Sequence, residues 1–389
     1  MAIENWVAQH VESLTAFRRD LHENPELLYD LPRTAATVAD ALRAAGVDEV
    51  VEGIGKTGVV GVIRGQTNTS GRTIGLRSDM DALPIVEATG KPWASKVEGK
   101  MHACGHDGHT AMLLGAARHL AESRAFDGTV IVIFQPAEEG GAGAKAMIDD
   151  GLFTRWPCDE VYGMHNRPNL PVGQFTIAPG PIMGSVDEIR ITIEGRGGHA
   201  ARPDSTIDSF PIAAALIQSI QTIVSRTVDP MDNAVVSLCT IHAGNAFNVI
   251  PQTIEMTGTV RTLREEVRGH IEAQLASLVP SIAAGFGATA TLDYIRMYPV
   301  TVNHAHETDL AAAAAIEVAG EANVTLDMPP VLGGEDFSFM LNEVPGAMIN
   351  IGNGPSAGLH HPEYDFNDDV IAWGCSYWTT LVRQRLPAG

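Results

Sequence analysis

The hydrophobic positions along the chain change period several times, and each change predicts an element. Val11, Leu14, Phe17 and Leu21 recur at helical spacing, and Asn24-Pro25 stops that helix. A second helix follows Pro32. Short apolar runs then predict strands over 58–63 and 73–77, a helix over 105–123, and strands over 129–134 and 160–163. Strands alternating with helices imply a mostly parallel sheet.

From Val186 the pattern changes. Ile189, Ile191 and Ile193 alternate along a strand over 186–194, and a helix over 207–224 turns Phe210, Ala214, Ile217 and Val224 inward. Strands over 234–241 and 253–262, a helix through Val267, Ile271, Leu275 and Leu278, and a strand over 289–297 complete the stretch. The order β-α-β-β-α-β is that of a ferredoxin-like domain. The α/β pattern resumes with an Ala-rich helix near 308–320, a strand over 347–351 and a helix over 368–386. The expected organisation is therefore an α/β domain over 1–183 and 299–389, interrupted by an inserted α+β domain over 184–298. Gly180-Pro181 and Tyr298-Pro299 are the expected hinges.

Composition narrows the classes of function. A chain of 389 residues with 45% hydrophobic content is long enough for two domains and a large core. With 47 acidic and 26 basic residues the net charge is -21, which disfavours nucleic acid and anionic membranes as partners and favours a small-molecule substrate. The start Met1-Ala2-Ile3-Glu4-Asn5-Trp6 lacks a basic segment followed by an apolar run, and no stretch approaches the ~20 apolar residues of a membrane span. A cytoplasmic protein is expected. Cys104, Cys158, Cys239 and Cys375 are too few for a disulfide framework, so each is expected to be a buried thiol or a ligand.

Metal-ligand side chains concentrate in four distant segments: 101–109 with His102, Cys104, His106 and His109; 135–140 with Glu138 and Glu139; 163–166 with His165; and 359–364 with His360, His361 and Glu363. Together they read as one hydrolytic metal centre, because Cys, His and Glu hold divalent ions and a spare carboxylate beside such an ion serves as general base. Asp79, Asp81, Glu138, Glu139, His165 and His360 all fall past the carboxyl ends of predicted strands, where open α/β sheets bind ligands. Any one histidine is more often a surface or hydrogen-bonded core residue; four coincident strand ends reverse that weighting. A local structural zinc site from His102, Cys104, His106 and His109 lacks paired Cys-x-x-Cys elements. Glu138-Glu139 also fits a solvated helix start. The run Gly140-Gly141-Ala142-Gly143 lacks the spacing of a phosphate-binding loop and is set aside.

The segments 77–84 (RSDMDALP), 104–109 (CGHDGH), 134–140, 195–200 (GRGGHA), 333–337 (GGEDF) and 360–368 resemble those of metal-dependent amidohydrolases. That family includes hippurate hydrolases, bacterial aminoacylases and plant auxin-conjugate hydrolases, related to carboxypeptidase G-type metallopeptidases. The likeness runs from Arg18-Arg19-Asp20-Leu21-His22 to Asp365-Phe366-Asn367-Asp368. It implies a metallopeptidase α/β catalytic domain carrying a ferredoxin-like lid and dimerisation domain. It makes Cys104, His106, Glu139, His165 and His360 the ligands of one or two divalent ions, Mn2+ or Zn2+ with Co2+ and Ni2+ as alternatives. Glu138 becomes the catalytic base, and His360 is chosen over His361 by the family's His-x-Pro pattern. Asp79 stands where many relatives of the wider group carry a ligand histidine, and Asp81 reads as a carboxylate that orients a ligand. His199, in a Gly-rich turn, would stabilise the oxyanion from the partner subunit of a homodimer or higher homo-oligomer. Asn245 and Arg261 are weaker candidates for holding the substrate.

The implied reaction is hydrolysis of N-acyl amino acids, hippurate-like or N-acetyl. A dipeptidase or carboxypeptidase on the same site is the alternative. A catalytically silent metal-binding protein is disfavoured because Glu138 is present beside Glu139.

Overall fold

The structure, a computed structural model, describes residues 3–389. It divides into two compact units: the first runs through Gly180 and takes in Val302–Pro329 and Asp336–Gly389, and the second comprises Pro181–Thr301 and Pro330–Glu335.

The chain begins with α1 (Asn5–Glu23), α2 (Pro32–Ala44), β1 (Glu49–Ile54), β2 (Gly58–Arg64), β3 (Thr73–Asp79), α3 (His106–Ser123), β4 (Thr129–Gln135), α4 (Gly143–Asp149), α5 (Leu152–Arg155), β5 (Glu160–Pro168) and β6 (Phe175–Thr176). It continues through β7 (Gly180–Met183), β8 (Val186–Glu194), β9 (Gly198–His199), α6 (Ser209–Thr227), β10 (Ala234–Ala243), β11 (Val249–Ile250), β12 (Thr253–Thr262), α7 (Glu265–Gly285), β13 (Thr289–Tyr298) and β14 (Thr301–Asn303). The last elements are α8 (Ala305–Ala319), β15 (Val324–Thr325), α9 (Phe337–Glu343), β16 (Gly346–Gly354) and α10 (Val370–Arg385).

The first unit is built on an eight-stranded sheet in the order β1-β2-β4-β3-β5-β16-β6-β15. Its central strands β4, β3, β5 and β16 run parallel, while β1 and β2 join antiparallel at one edge. The chain is thus mixed α/β with a mostly parallel central sheet, as its alternating pattern implies. Val130, Ile131, Val132, Ile133 and Phe134 are all buried because β4 is covered on both faces. Helices α1, α2, α8 and α10 pack with α3, directly or through one another, and α4 and α9 pack against each other beside β4 and β5.

Two boundaries differ from expectation. β3 extends to Asp79, which is its last residue rather than a loop residue, and β5 extends to Pro168, so His165 lies inside a strand. The polar tail His165-Asn166-Arg167 carries no apolar signal, yet each position pairs in register with β16. The apolar pattern does not mark β1 either; Glu49, Glu52 and Gly53 dilute it, and the strand is held by the ladder to β2.

In the second unit, β8, β10, β12 and β13 form an antiparallel sheet in the order β10-β12-β8-β13. Helices α6 and α7 pack on each other and on this sheet. Ile189, Ile191 and Ile193 enter its core as their alternation implies. The inward face of α6 is a correction. Ile212, Ala213, Leu216, Ile220 and Ile223 are the buried apolar positions, Val224 is half-buried, Ala214 is exposed, and Phe210 and Ile217 are exposed by 50% and 38%. This helix is apolar on several sides, so its pattern alone leaves the phase open. Cys239 departs from expectation too: it is exposed on β10 rather than buried.

Candidate metal centre

The ligand-bearing segments meet at the carboxyl end of the parallel strands, all within the first unit. β3 delivers Asp79 and, two residues on, Asp81; both are fully buried. β4 ends at Gln135, and the turn beyond it carries Glu138 and Glu139. Asp81 pins that turn, accepting from the backbone N–H groups of Glu138 at 3.0 Å and Glu139 at 3.1 Å. The segment preceding α3 contributes Cys104, and the first residue of α3 is His106. Between them Gly105 takes a left-handed φ of 88°. A Cβ there would lie 2.4 Å from Asn166 Nδ2 and 2.5 Å from Tyr364 Oη, so no other residue fits.

Two groups of side chains share one sulfur. Potential ligand atoms of Cys104, His106 and His165 lie within 4.8 Å of one another, as do those of Cys104, Glu139 and His360. The Cys104 Sγ is 3.4 Å from His165 Nε2, and Glu139 Oε1 is 3.2 Å from His360 Nε2. His165 Nδ1 donates to Asn166 O at 2.7 Å, which leaves Nε2 as the lone-pair nitrogen facing the sulfur. His360 adopts a left-handed φ of 64°, and its N–H donates to Ala103 O at 2.8 Å. His361 instead closes its own turn, with Nδ1 accepting from the Glu363 N–H at 3.1 Å. Glu138 is buried, with a carboxylate oxygen within 4.8 Å of ligand atoms of His106 and Glu139.

The electrostatics suit a divalent cation. Burial pushes the Cys104 thiol well above its ordinary pKa, and the carboxylates of Glu139, Glu138 and Asp79 push it further. Burial alone would lower the pKa of His106, but Asp79, Asp81 and Glu139 outweigh it and raise it to about 10. Burial raises Asp81. Asp79, also penalised by burial, is nevertheless held well below the carboxylate range by His106, Arg77 and His109. So many buried acids beside few fixed cations call for positive charge at this point. Among the described residues neither nitrogen of His106 makes a well-directed hydrogen bond; Nδ1 lies 3.4 Å from Asp81 and Nε2 3.8 Å from Asp79. Buried polar atoms left without partners, ringed by thiol, imidazole and carboxylate, fit a divalent-metal site.

His109 and His102 are members of neither of these two groups, although a nitrogen of His109 lies within 4.8 Å of potential ligand atoms of Asp79 and His106. His109 Nδ1 donates to Asp79 at 2.6 Å and its Nε2 accepts from the Asn166 N–H at 2.9 Å, so both nitrogens are in use. His102 belongs to no group of potential ligands among the described residues, and a local site from residues 102, 104, 106 and 109 is not assembled.

The model of peptidase family M20/M25/M40 matches residues 75–384. The chain belongs to that family. It is 42% identical over 369 residues to hippurate hydrolase of Campylobacter jejuni, covering 95% of each chain. It is 40% identical over 382 residues to thermostable carboxypeptidase 2 of Saccharolobus solfataricus, covering 96% of this chain and 93% of that one. Among solved structures it is similar to the Bacillus subtilis YXEP protein, a dinuclear metal-binding peptidase of the M20 family, with a TM-score of 0.85 at 35% identity over 98% of this chain and 100% of that chain. The fold and the family implied by the motifs are those observed.

Three candidates lie in the second unit of this M20 chain. His199 is exposed in β9, pairs with Val249 of β11, and accepts from the Ala201 N–H at 3.0 Å. Asn245 is in the exposed turn after β10. Arg261 is half-buried on β12, with its guanidinium donating to Val260 O at 3.1 Å and to Thr259 Oγ1.

Sequence reasoning missed Asn166, Tyr364 and Arg77. Asn166 Nδ2 donates to Cys104 O at 2.6 Å, and Tyr364 Oη donates to Asn166 Oδ1 at 2.8 Å. Arg77 donates to Asp79 at 2.8 Å and to Asp336 at 3.1 Å. Asn166 adjoins His165 in sequence, which is a signal for it; Tyr364 and Arg77 have none beyond membership in the motifs.

Proposed function

We propose that this M20 chain hydrolyses the amide bond of N-acyl amino acids, with hippurate-like and N-acetyl compounds as its substrates. The observation that carries the reading is the pair of donor groups sharing Cys104, with the buried Glu138 beside them. Similarity across 95% of hippurate hydrolase supports the substrate class.

Cys104, His106, Glu139, His165 and His360 are assigned as ligands of one or two divalent ions. Such an ion lowers the pKa of a water it holds and polarises a carbonyl. Glu138 accepts a proton from the attacking water as its oxygen bonds to the amide carbon. When the C–N bond breaks, Glu138 returns that proton to the leaving nitrogen, and the products are a carboxylate and a free amino acid. His199 is assigned to the developing oxyanion, acting from the partner subunit of a homodimer as its motif implies. Asn245 and Arg261 are assigned to the substrate's acyl oxygen and carboxylate.

Thiolate with imidazole suits Zn2+, and the carboxylate also admits Mn2+. A cytoplasmic location agrees with four free cysteines. No helix among the described residues is long and apolar enough to cross a membrane.

A second reading, carboxypeptidase action on the same site, draws on the similarity to the Saccharolobus enzyme. Amine release from N-benzoyl, N-acetyl and indoleacetyl amino acids and from free dipeptides separates the two. Protein stripped by chelator and reloaded with Mn2+ or Zn2+ is predicted to cleave the capped compounds. Cleavage of dipeptides alone would move the chain to the peptidase reading.

A further inference from the structure

The segment Arg18 to His22, part of the family likeness, has no role in the reaction described above. It nevertheless reaches the ligand loops. His22, next to last in α1, is 2% exposed, and Arg18 one turn earlier is fully buried. Both face Asp107, the residue after His106: His22 Nδ1 donates to Asp107 Oδ2 at 2.8 Å, and Arg18 Nε lies 2.7 Å from the same oxygen. His22 Nε2 is 3.3 Å from Glu87 Oε1. Each nitrogen of this ring thus faces a carboxylate, and Arg18 Nη2 also lies 3.1 Å from Nδ1.

Glu87 organises the irregular stretch between Leu83 and Met101. Its carboxylate accepts from the Ser95 N–H at 2.7 Å and from Thr89 Oγ1. The next residue, Ala88, donates its N–H to Pro362 O at 2.8 Å, two residues beyond His360. Lys91 Nζ pairs with Asp365 at 2.6 Å. The His360 turn is thus tied to the Glu87 loop, and Asp107 stands in the first turn of α3 beside His106. One imidazole joins the two.

We propose that His22 is a positioning residue that braces both donor groups of the metal centre, through Asp107 for His106 and through Glu87 for the His360 turn. The proposal rests on the metal-centre reading above. Partners outside the ligand shell fix ligand orientation, and their loss costs roughly 10–100-fold in metal affinity.

Two neutral replacements divide the brace. In His22→Asn the amide nitrogen stands near the place of Nδ1 and keeps the bond to Asp107; in His22→Gln it stands near Nε2 and keeps the bond to Glu87. Both remove the imidazole and differ in the bond that survives. Stripped protein is titrated with Mn2+, with circular dichroism confirming the fold of each variant. His22→Gln is predicted to weaken Mn2+ binding roughly 10–100-fold in the native background and to add little in an Asp107→Asn background. His22→Asn is predicted to behave in the same way against Glu87→Gln. A purely structural role would lower the unfolding midpoint and leave Mn2+ affinity unchanged, which overturns the proposal. Should the His22 variants not fold, Glu87→Gln alone carries the test: weakened Mn2+ binding supports the brace, and native affinity overturns it. Native protein that binds no Mn2+, Zn2+ or Co2+ would remove the metal-centre reading itself, a failure distinct from that of the brace.

Discussion

Cys104 and His165 face each other with Sγ and Nε2 3.4 Å apart, and Asn166 holds them both. Its side-chain amide donates to the Cys104 carbonyl at 2.6 Å, and its own carbonyl accepts from His165 Nδ1 at 2.7 Å. One residue therefore sets the backbone of the shared sulfur and the tautomer of the imidazole opposite it.

Asn166→Ala removes the first of these bonds and leaves the second, because the carbonyl belongs to the backbone. Zn2+ affinity, measured against a competing chelator, is predicted to fall roughly 10–100-fold. Unchanged affinity would show that the Cys104 loop is fixed without the amide.

Glu138→Gln keeps the size of the side chain and the backbone bond to Asp81 but removes the proton acceptor. Turnover of a capped substrate is predicted to drop by about 10²–10⁴-fold with metal content retained. Turnover near the native rate would remove Glu138 as base.

Much of the candidate site is legible in the sequence because the proposed ligands cluster in short motifs at strand ends. Cys104, His106, Glu139 and His360 need only the topology of β3, β4 and β16 to be brought together. His165 joins the same cluster even though the apolar run stops short of it, since the polar half of β5 is held by its ladder to β16 and not by apolar burial. Asn166 and Tyr364 escape because a single amide or phenol has no period; their bond spans 198 residues of sequence. The phase of α6 escapes for the opposite reason, an excess of apolar residues on several sides. Phe210 and Ile217 remain exposed while Ile212 and Leu216 face the sheet.

The four cysteines differ in environment, and their reactivity is predicted to follow. Burial pushes the Cys375 thiol up to about 12, and burial with Asp159 nearby does the same for Cys158. Cys104 is buried in the candidate metal centre, whereas Cys239 is exposed. Thiol titration of metal-loaded protein at neutral pH should label Cys239 first and reach all four only on unfolding. Rapid labelling that survives Cys239→Ser would contradict this assignment.

Glu160, at the start of β5, accepts from Arg385 at 2.8 and 3.0 Å and from Tyr162 Oη at 2.7 Å, and also pairs with Arg72. Burial raises its pKa, but the bonds from Arg385 and Tyr162 outweigh burial and hold it below its ordinary value. A carboxyl whose folded pKa is depressed adds stability that is fully present above its unfolded pKa of about 4.3, and that is lost as pH falls through the folded value. Glu160→Gln is therefore predicted to lower stability at pH 7 and to matter progressively less below about pH 4. Urea unfolding of both proteins across that range checks it; a difference independent of pH would assign the effect to packing.

The place of Cys104 in the metal centre is tested most directly by loading stripped protein with Co2+ and recording its near-ultraviolet absorption. A sulfur-to-cobalt charge-transfer band is predicted in the native protein, with Cys104→Ser abolishing it while Cys239→Ser leaves it intact. Absence of the band in cobalt-loaded native protein, or its persistence in Cys104→Ser, would contradict a metal centre built on Cys104.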